Sequence, residues 1–267
     1  MNLDLEGKTA VVTGGSRGIG KAIARELAAS GCAVVICARS PETLELTARE
    51  LSRETGGKVL GVTTDVTSTE AVENSVKEAA RALGGRIDIL VNNAAAPGGL
   101  ARGSLENIKD EDVMADLDTK VMGYLRFARA VAPYMKQQGW GRIINIGGTS
   151  ARRAAGNLSA GVRNAGLVNL TKYLAEDLGT FGITANIVHP GTTWTERSGP
   201  MYEEQARRDN VSVEDVKKRV AAGNSTKRIV DASEVAYVVA FLASPCSIAI
   251  SGEVISASGG AGQAVFH

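Results

Sequence analysis

The chain contains 267 residues, 44% of them hydrophobic, a size that suits one α/β domain with a sheet at its centre. Its 30 basic and 29 acidic residues leave a formal net charge of +1, so charge gives no reason to expect nucleic acid or an anionic membrane as a partner. The N-terminus lacks a basic segment followed by an apolar run, and no run of about 18 apolar residues occurs. The sequence therefore predicts a cytoplasmic protein.

The three cysteines, Cys32, Cys37 and Cys246, stand in apolar sequence surroundings and lack the spacing of a disulfide pair or of a metal site. Such cysteines fit a reducing compartment. We therefore expect no disulfide and no bound metal.

Short β-branched segments alternate along the chain with longer segments of helical period. Apolar strands separated by helices are typical of a parallel sheet that is covered on both faces. Since no linker or repeat divides the chain, we predict one doubly wound α/β domain over residues 1–267, with a parallel sheet of about seven strands. The predicted strands are 9–13, 33–38, 58–63, 87–92, 141–147 and 183–189, and the predicted helices are 19–30, 41–55, 69–83, 110–138 and 158–181.

Residues 195–227 interrupt this alternation with a charged, weakly helical stretch. We interpret the stretch as a candidate lid over a pocket. A solvated surface helix is the alternative.

The first predicted strand runs directly into a glycine-rich turn, TGGSRGIG at 13–20, and a predicted helix follows. This order of elements predicts a dinucleotide site, because glycine lets the backbone approach a diphosphate and accepts positive φ. The helix N-terminus adds free N–H groups and a partial positive charge. The predicted cofactor contacts from this turn are Gly14, Ser16, Arg17, Gly18, Ile19 and Gly20.

The second predicted strand ends at Cys37-Ala38-Arg39, without the acidic residue that would bind a free ribose 2′-hydroxyl. Arg39 and Arg17 instead offer guanidinium groups suited to a 2′-phosphate. The sequence therefore favours NADP over NAD, the alternative being that both arginines are only solvated.

Together with this turn, several further motifs resemble the short-chain dehydrogenase/reductase family over nearly the whole chain. They are Asp65-Val66 after the third strand, Asn92-Asn93-Ala94-Ala95 after the fourth, Pro190-Gly191-Thr192-Thr193-Trp194-Thr195, and SGEVISASGG at 251–260, which is similar to the family's last strand. The resemblance implies that Asp65 and Val66 contact adenine and that Asn92 and Ala94 line the cofactor cleft. It also implies that the turn of Pro190 and Gly191 lies beside the nicotinamide and that Thr195 reaches the carboxamide.

The same resemblance assigns four catalytic positions, which in the family hold a tyrosine, a lysine four residues later, a serine after the fifth strand and an asparagine on an earlier helix. Alignment through the Asn164-Ala165-Gly166-Leu167 segment puts Ala160 at the tyrosine position and Asn164 at the lysine position. Gly148 takes the serine position, and Lys120 takes the asparagine position. None of the five tyrosines is followed four residues later by a lysine. The sequence thus predicts a non-standard active site.

We interpret the chain as an NADP-dependent oxidoreductase that transfers hydride to an imine, an enone or another activated electrophile, because losing a general acid slows ordinary ketone reduction by roughly 10²- to 10⁴-fold. Lys120 is the candidate for stabilising negative charge or donating a proton, Thr149 for donating a hydroxyl hydrogen bond, and Asn164 for holding ribose or water. A solvated or salt-bridged Lys120 is the structural alternative. The functional alternatives are a catalytically degenerate NADP(H)-binding sensor or scaffold and an enzyme of another class on the same fold.

Charged residues near these positions have two interpretations each. Arg152, Arg153 and Arg163 either make a cationic cleft for a substrate carboxylate or phosphate, or are solvated or subunit-bridging. His189 either titrates in catalysis or is a strand-end residue beside the cofactor turn. The expected partners are a small-molecule substrate and, from the resemblance alone, further copies of this chain in a dimer or homotetramer.

Overall fold

Seven parallel strands form the central sheet of the protein, whose computed structural model describes residues 2–96, 98–101, 103–153 and 157–262. In chain order the strands are β1 (Thr9–Thr13), β2 (Ala33–Ala38), β3 (Val59–Thr63), β4 (Ile89–Asn92), β5 (Gly141–Ile146), β6 (Ile183–Pro190), β7 (Thr193–Trp194), β8 (Val230–Asp231) and β9 (Val254–Ala257). The sheet has the order β3-β2-β1-β4-β5-β6-β9, and β7 pairs with β8 outside it. This single-domain, doubly wound α/β fold confirms the prediction.

Helices connect the strands and cover both faces of the sheet. In the described residues they are α1 (Gly18–Ala29), α2 (Pro41–Thr55), α3 (Thr69–Ala82), α4 (Asp110–Leu117), α5 (Gly123–Gln138), α6 (Leu158–Leu178), α7 (Ser198–Asp209), α8 (Val213–Ala222) and α9 (Ala232–Ala243). Helix α9 is missing from the predicted elements because its AYVVAFLA segment is apolar on every side and shows no helical period.

The prediction of one continuous helix over 110–138 is wrong at residues Asp118–Met122. A π-helical turn separates α4 from α5 there, and Lys120 lies inside it. A π turn inserts an extra residue into the hydrogen-bond ladder, and such turns occur often at functional sites. The helical period of the sequence over 110–138 does not reveal this insertion.

Alternate residues of each strand supply the two faces of the core, as the period of a strand requires. Val12 of β1 packs with α1, α2 and α9, whereas Val11 packs with α3, α5 and α6. Both valines are fully buried. Because the sheet is covered on both sides, its carboxyl edge is the exposed end of the strands where a ligand can bind.

The segment 195–227 contains α7 and α8, more helix than the sequence predicts. It has a hydrophobic cluster of its own, in which Tyr202 and Ala206 of α7 are buried with Val216 of α8. The Trp194 ring meets the Tyr202 ring edge-on at 5.7 Å between centroids. The segment is therefore a packed substructure, and its action as a lid stays a prediction.

Cys32 and Cys37 are buried, as expected, whereas Cys246 is exposed, so the predicted apolar surroundings are wrong for that residue. All three thiols are free. Among the described helices, none combines the length and the apolar character needed to cross a membrane.

Candidate dinucleotide and active site

The glycine-rich turn lies where the strand order of the sheet reverses. From β1 the chain builds outward through β2 and β3, then returns to place β4 on the other side of β1. The turn follows β1, and residues 93–96 follow β4, so the two segments face each other at the carboxyl edge. Ligands of doubly wound sheets bind in the crevice at such a switch point.

Close packing explains why the turn needs glycine. Gly14 has φ +65°, and a Cβ there would lie 2.9 Å from the Ala94 Cα atom. A Cβ on Gly20 would lie 2.3 Å from the Gly14 carbonyl oxygen, so no larger residue fits. The Asn93 side chain, which sequence reasoning did not single out, donates to the Thr13 and Gly14 carbonyl oxygens at 3.1 Å each.

Helix α1 presents its N-terminus to this crevice. Arg17 precedes the first residue of the helix in extended conformation, and its side chain does not cap the helix. The Gly18 N–H donates to the Glu196 carboxylate at 2.8 Å. The N-terminus of α1 therefore already holds an anionic group, which is the preference expected from its free N–H groups and dipole.

Arg17 and Arg39 are both exposed on the side of the crevice at β2, and within the described ranges neither forms an ion pair. Hydrogen bonds from the Thr67 backbone and hydroxyl lower the pKa of Asp65, and the charges of Arg39 and Arg126 lower it further. Arg39 thus lies near Asp65, the residue assigned to adenine.

The other predicted cofactor residues lie around the same crevice. Val66 is buried behind Asp65. Asn92 is fully buried, and its side chain donates to Asn145 Oδ1 at 3.0 Å, so this side chain is engaged in the core. Pro190 ends β6, Gly191 follows it, and the Thr195 N–H is held by the Ser198 hydroxyl at 3.0 Å.

Lys120 is buried beside the carboxyl end of β5, with only 3% of its surface exposed. Its Nζ atom donates to the Gly147 carbonyl oxygen at 3.1 Å and to Asn164 Oδ1 at 2.8 Å. The structure therefore excludes a solvated Lys120 and joins it to Asn164, another of the predicted site residues.

Asn164 occupies the space beside Gly148. A Cβ on Gly148 would lie 2.7 Å from the Asn164 Nδ2 atom. That amide donates to the Ser150 hydroxyl at 2.8 Å, and Ser150 donates to the Ala160 carbonyl oxygen at 3.0 Å. Among the described residues Ser150, not the predicted Thr149, is the hydroxyl bonded to Asn164.

Burial holds the pKa of Lys120 well below its ordinary value, and the positive charge of Arg163 lowers it further. Asp116 partly opposes this shift. A neutral amine has two N–H donors, and Lys120 has two acceptors, Gly147 and Asn164. Burial and the charge of Arg163 therefore favour the uncharged amine, and the two acceptors can take both N–H groups of that form.

Arg163 does not supply free positive charge to the cleft. Its Nη1 atom donates to Asp116 Oδ1 at 2.6 Å, and both side chains are buried, with 5% and 0% exposed. Its Nη2 atom donates to the Ala96 carbonyl oxygen at 3.0 Å. Asp116 also accepts hydrogen bonds from the Ser159 hydroxyl and the Leu100 N–H. This network fastens α4, α6 and the segment after β4 together.

The other arginines leave the cationic-cleft interpretation with little support. Arg152 donates to the Val254 carbonyl oxygen and the Ser256 hydroxyl, each at 3.3 Å, at the edge strand β9. Arg153 is exposed. The buried Arg163 is neither solvated nor available to bridge subunits.

His189, at the end of β6, is fully buried. Its Nδ1 atom accepts a hydrogen bond from the Gly148 N–H at 2.9 Å, so the neutral ring carries its proton on Nε2. Nε2 has no hydrogen-bond partner among the residues that the structure describes. Burial is the main cause that lowers the pKa of His189 to about 4, and the positive charge of Arg152 contributes to the same shift. The imidazole therefore does not titrate near neutral pH.

Across residues 2–96, 98–101, 103–153 and 157–262, no group of three or more His, Cys, Asp or Glu side chains is placed to hold a metal ion. The chemistry available at the carboxyl edge is that of an amine, an amide, a hydroxyl and backbone groups, next to a crevice shaped for a diphosphate.

Comparison with known proteins gives the same assignment. A family model described as Enoyl-(Acyl carrier protein) reductase matches residues 14–262. The 3-oxoacyl-(acyl-carrier-protein) reductase FabG of Escherichia coli is 37% identical over 262 residues, which cover 97% of this chain and 98% of that protein. The NADPH-dependent reductase BacG of Bacillus subtilis is 32% identical over 260 residues, which cover 97% of this chain and 99% of BacG.

A solved structure extends the likeness to three dimensions. The crystal structure of L-sorbose reductase from Gluconobacter frateurii, complexed with NADPH and L-sorbose, superposes with a TM-score of 0.92 at 30% identity and covers 98% of both chains. The switch-point crevice, the glycine-rich turn and these full-length matches agree. The chain therefore belongs to the short-chain dehydrogenase/reductase family of oxidoreductases.

Proposed function

We propose that the protein is an NADP-dependent oxidoreductase with a non-standard active site, which reduces an imine, an enone or another activated electrophile. The observation that carries the proposal is the buried Lys120–Asn164 pair at the carboxyl edge of the sheet. The pair lies at the same edge as the glycine-rich turn, where the close backbone packing leaves no room for a Cβ atom.

The crevice fits a dinucleotide. Gly14 and Gly20 leave bare backbone where a Cβ would collide, and α1 offers its N-terminal amides. Arg17 and Arg39 are exposed and free of ion pairs in the described chain, as a 2′-phosphate site requires. Relatives whose names specify NADPH, such as BacG, support the same choice of cofactor. NADPH would supply the hydride.

The catalytic proposal rests on what stands at four positions. Gly148 and Ala160 have no proton to give, and Lys120 and Asn164 hold each other. An alkoxide formed from a simple ketone would lack the tyrosine that serves as acid in the family, and that loss costs roughly 10²- to 10⁴-fold. Reduction of an iminium ion yields a neutral amine, and reduction of an enone passes through a stabilised enolate, so both need less acid assistance.

Lys120 is the residue that serves such a substrate. As an uncharged amine it does not repel an iminium cation, and when protonated its lowered pKa makes it a ready proton donor to an enolate. Asn164 fixes the amine, and Ser150 fixes Asn164. We retain Thr149 only as a hydroxyl near the cleft, since none of its described contacts connects it to Lys120.

A catalytically degenerate NADP(H) sensor or scaffold is the second candidate. It is favoured by the burial of Lys120, which has only 3% of its surface exposed and lies beside Asn164 rather than in the open cleft. In this case the network would stabilise the fold and the crevice would bind the dinucleotide without turnover.

Stopped-flow oxidation of NADPH in the presence of simple ketones, enones and cyclic imines distinguishes these possibilities. We expect turnover of an enone or an imine and poor turnover of simple ketones. Fast ketone reduction, at the rate of tyrosine-bearing relatives, would refute the proposed site. Tight NADPH binding without oxidation by any substrate would instead support the sensor.

The remaining assignments stay predictions. These are the action of residues 195–227 as a lid, a dimeric or tetrameric assembly, a cytoplasmic location and a small-molecule substrate. Analytical ultracentrifugation tests the assembly directly.

A further inference from the structure

Glu196 bonds to the part of the crevice that the cofactor needs. Its carboxylate accepts a hydrogen bond from the Gly18 N–H at 2.8 Å, although 178 residues separate the two in the chain. Gly18 is the first residue of α1. Within the described chain Glu196 forms no ion pair, and its carboxylate is held by the hydrogen bond from this amide.

A carboxylate at this place competes with a phosphate. Both are anions with oxygen acceptors, and both are stabilised by the same free N–H groups and the same positive end of the helix dipole. One backbone N–H cannot make a full hydrogen bond to both. A second anion held beside a diphosphate would in addition repel it.

The surrounding backbone keeps Glu196 at the crevice. The Thr195 N–H is held by the Ser198 hydroxyl at 3.0 Å, and the Ser198 N–H donates to the Thr195 carbonyl oxygen at 2.9 Å. A Cβ on Gly18 would lie 3.9 Å from the Thr195 methyl group. The start of the 195–227 segment therefore lies directly over the N-terminus of α1.

We propose that Glu196 is an internal competitor for the diphosphate of the cofactor, and that it sets dinucleotide affinity by having to leave Gly18 when the cofactor binds. The proposal rests on the proposed NADP site. It also couples residues 195–227 to the cofactor site in the absence of substrate. Binding of the cofactor breaks the hydrogen bond that joins the start of this segment to α1.

Glu196→Gln tests the proposal, because it removes the charge and keeps the shape of the side chain. The dissociation constant of NADPH, measured by calorimetry, should fall by about 2- to 5-fold, the size of an exposed charge effect at a helix N-terminus. Glu203→Gln, an exposed glutamate on α7, removes the same charge elsewhere and should leave the constant unchanged. Equal affinity of wild type and Glu196→Gln, or equal tightening in both variants, would overturn the proposal.

The Gly18 amide resonance in ¹⁵N-labelled protein gives a second readout. It should differ between free wild type and free Glu196→Gln and coincide in their NADPH complexes, because Glu196 has then left. A difference that persists in the complexes would show that the contact survives binding, which contradicts the proposal. Failure of wild type to bind NADPH at all would be a different result, since it would overturn the cofactor assignment itself.

Discussion

Asn164 accepts a hydrogen bond from Lys120 at 2.8 Å, across 44 residues of sequence. The bond joins the π-helical turn between α4 and α5 to the face of α6 that points at the carboxyl edge. The sequence resemblance predicts that these two residues take the family's asparagine and lysine positions, with an amide and an amine in exchanged places.

Replacing Lys120 by methionine tests its role in turnover. Lys120→Met should reduce turnover by roughly 10²-fold or more, because the variant cannot donate a proton or stabilise charge, while NADPH affinity stays nearly unchanged. Stopped-flow kinetics and calorimetry measure the two quantities. Lys77→Met, at an exposed position of α3, is the control. Unchanged turnover would remove Lys120 from the mechanism.

Changing the partner of Lys120 should move a pH profile. Asn164→Asp places a carboxylate beside the amine, which favours the charged form and raises the pKa of Lys120. The limb of the turnover profile that belongs to Lys120 should therefore shift to higher pH, whereas Asn164→Leu should not produce that shift. A profile that does not move in Asn164→Asp would assign the limb to another group.

The buried pair of Asp116 and Arg163 should be costly to break. Asp116→Ala leaves an uncompensated buried cation, and such losses cost about 3–5 kcal/mol. Urea unfolding measures the change in free energy. Glu45→Ala removes one partner of the exposed pair with Arg49 and should cost about 1 kcal/mol or less. A similar loss of unfolding free energy in both variants would show that the buried pair stabilises the fold no more than the exposed pair does.

His189 should make the protein less stable in mild acid. Its pKa is about 4 in the folded protein and about 6.5 when unfolded, so the unfolded chain binds more protons between these values. Stability due to this group is therefore complete above pH 6.5 and falls as the pH drops, by at most about 3 kcal/mol at pH 4.

His189→Asn provides the comparison, because Asn can still accept from the Gly148 N–H but does not titrate. The unfolding free energies of the two proteins should be measured from pH 7 to pH 4. The wild-type value should fall relative to that of His189→Asn, because only the wild type loses the contribution of the neutral histidine. Parallel curves would contradict the lowered pKa.

Arg39 should select the phosphorylated cofactor. Arg39→Ala removes a charged hydrogen-bond donor and should weaken NADPH binding by roughly 10-fold or more, with little change for NADH. Arg53→Ala, an exposed arginine of α2, should change neither constant. Equal effects on the two cofactors would show that Arg39 does not contact the 2′-phosphate.

The sheet and the glycine-rich turn could be predicted because their causes are local. β-Branched runs mark strands such as β1 and β2, and the close approach at Gly14 leaves a motif in the sequence. Helix α9 could not be predicted in this way, because a helix buried between α1 and the sheet has no polar face to set a period.

The candidate catalytic side chains were predicted from their positions in the sequence, but their contacts depend on tertiary structure. Nothing in the sequence near Asp116 indicates that it pairs with Arg163, or that burial and the charge of Arg163 lower the pKa of Lys120. The choice of Ser150 over Thr149 likewise depends on the direction of a short 3₁₀ turn. A histidine at the end of a predicted strand, directly before Pro190 and Gly191, was the available signal for the buried His189.

Calorimetric titration with NADPH and with NADH tests the central claim most directly, namely that bare backbone between β1 and α1 binds the diphosphate of NADP(H). We predict a single site per chain with NADPH bound more tightly than NADH, and loss of that site in Gly20→Val, whose side chain would collide with the Gly14 carbonyl oxygen. No heat of binding at saturating dinucleotide, or tighter binding of NADH, would contradict it.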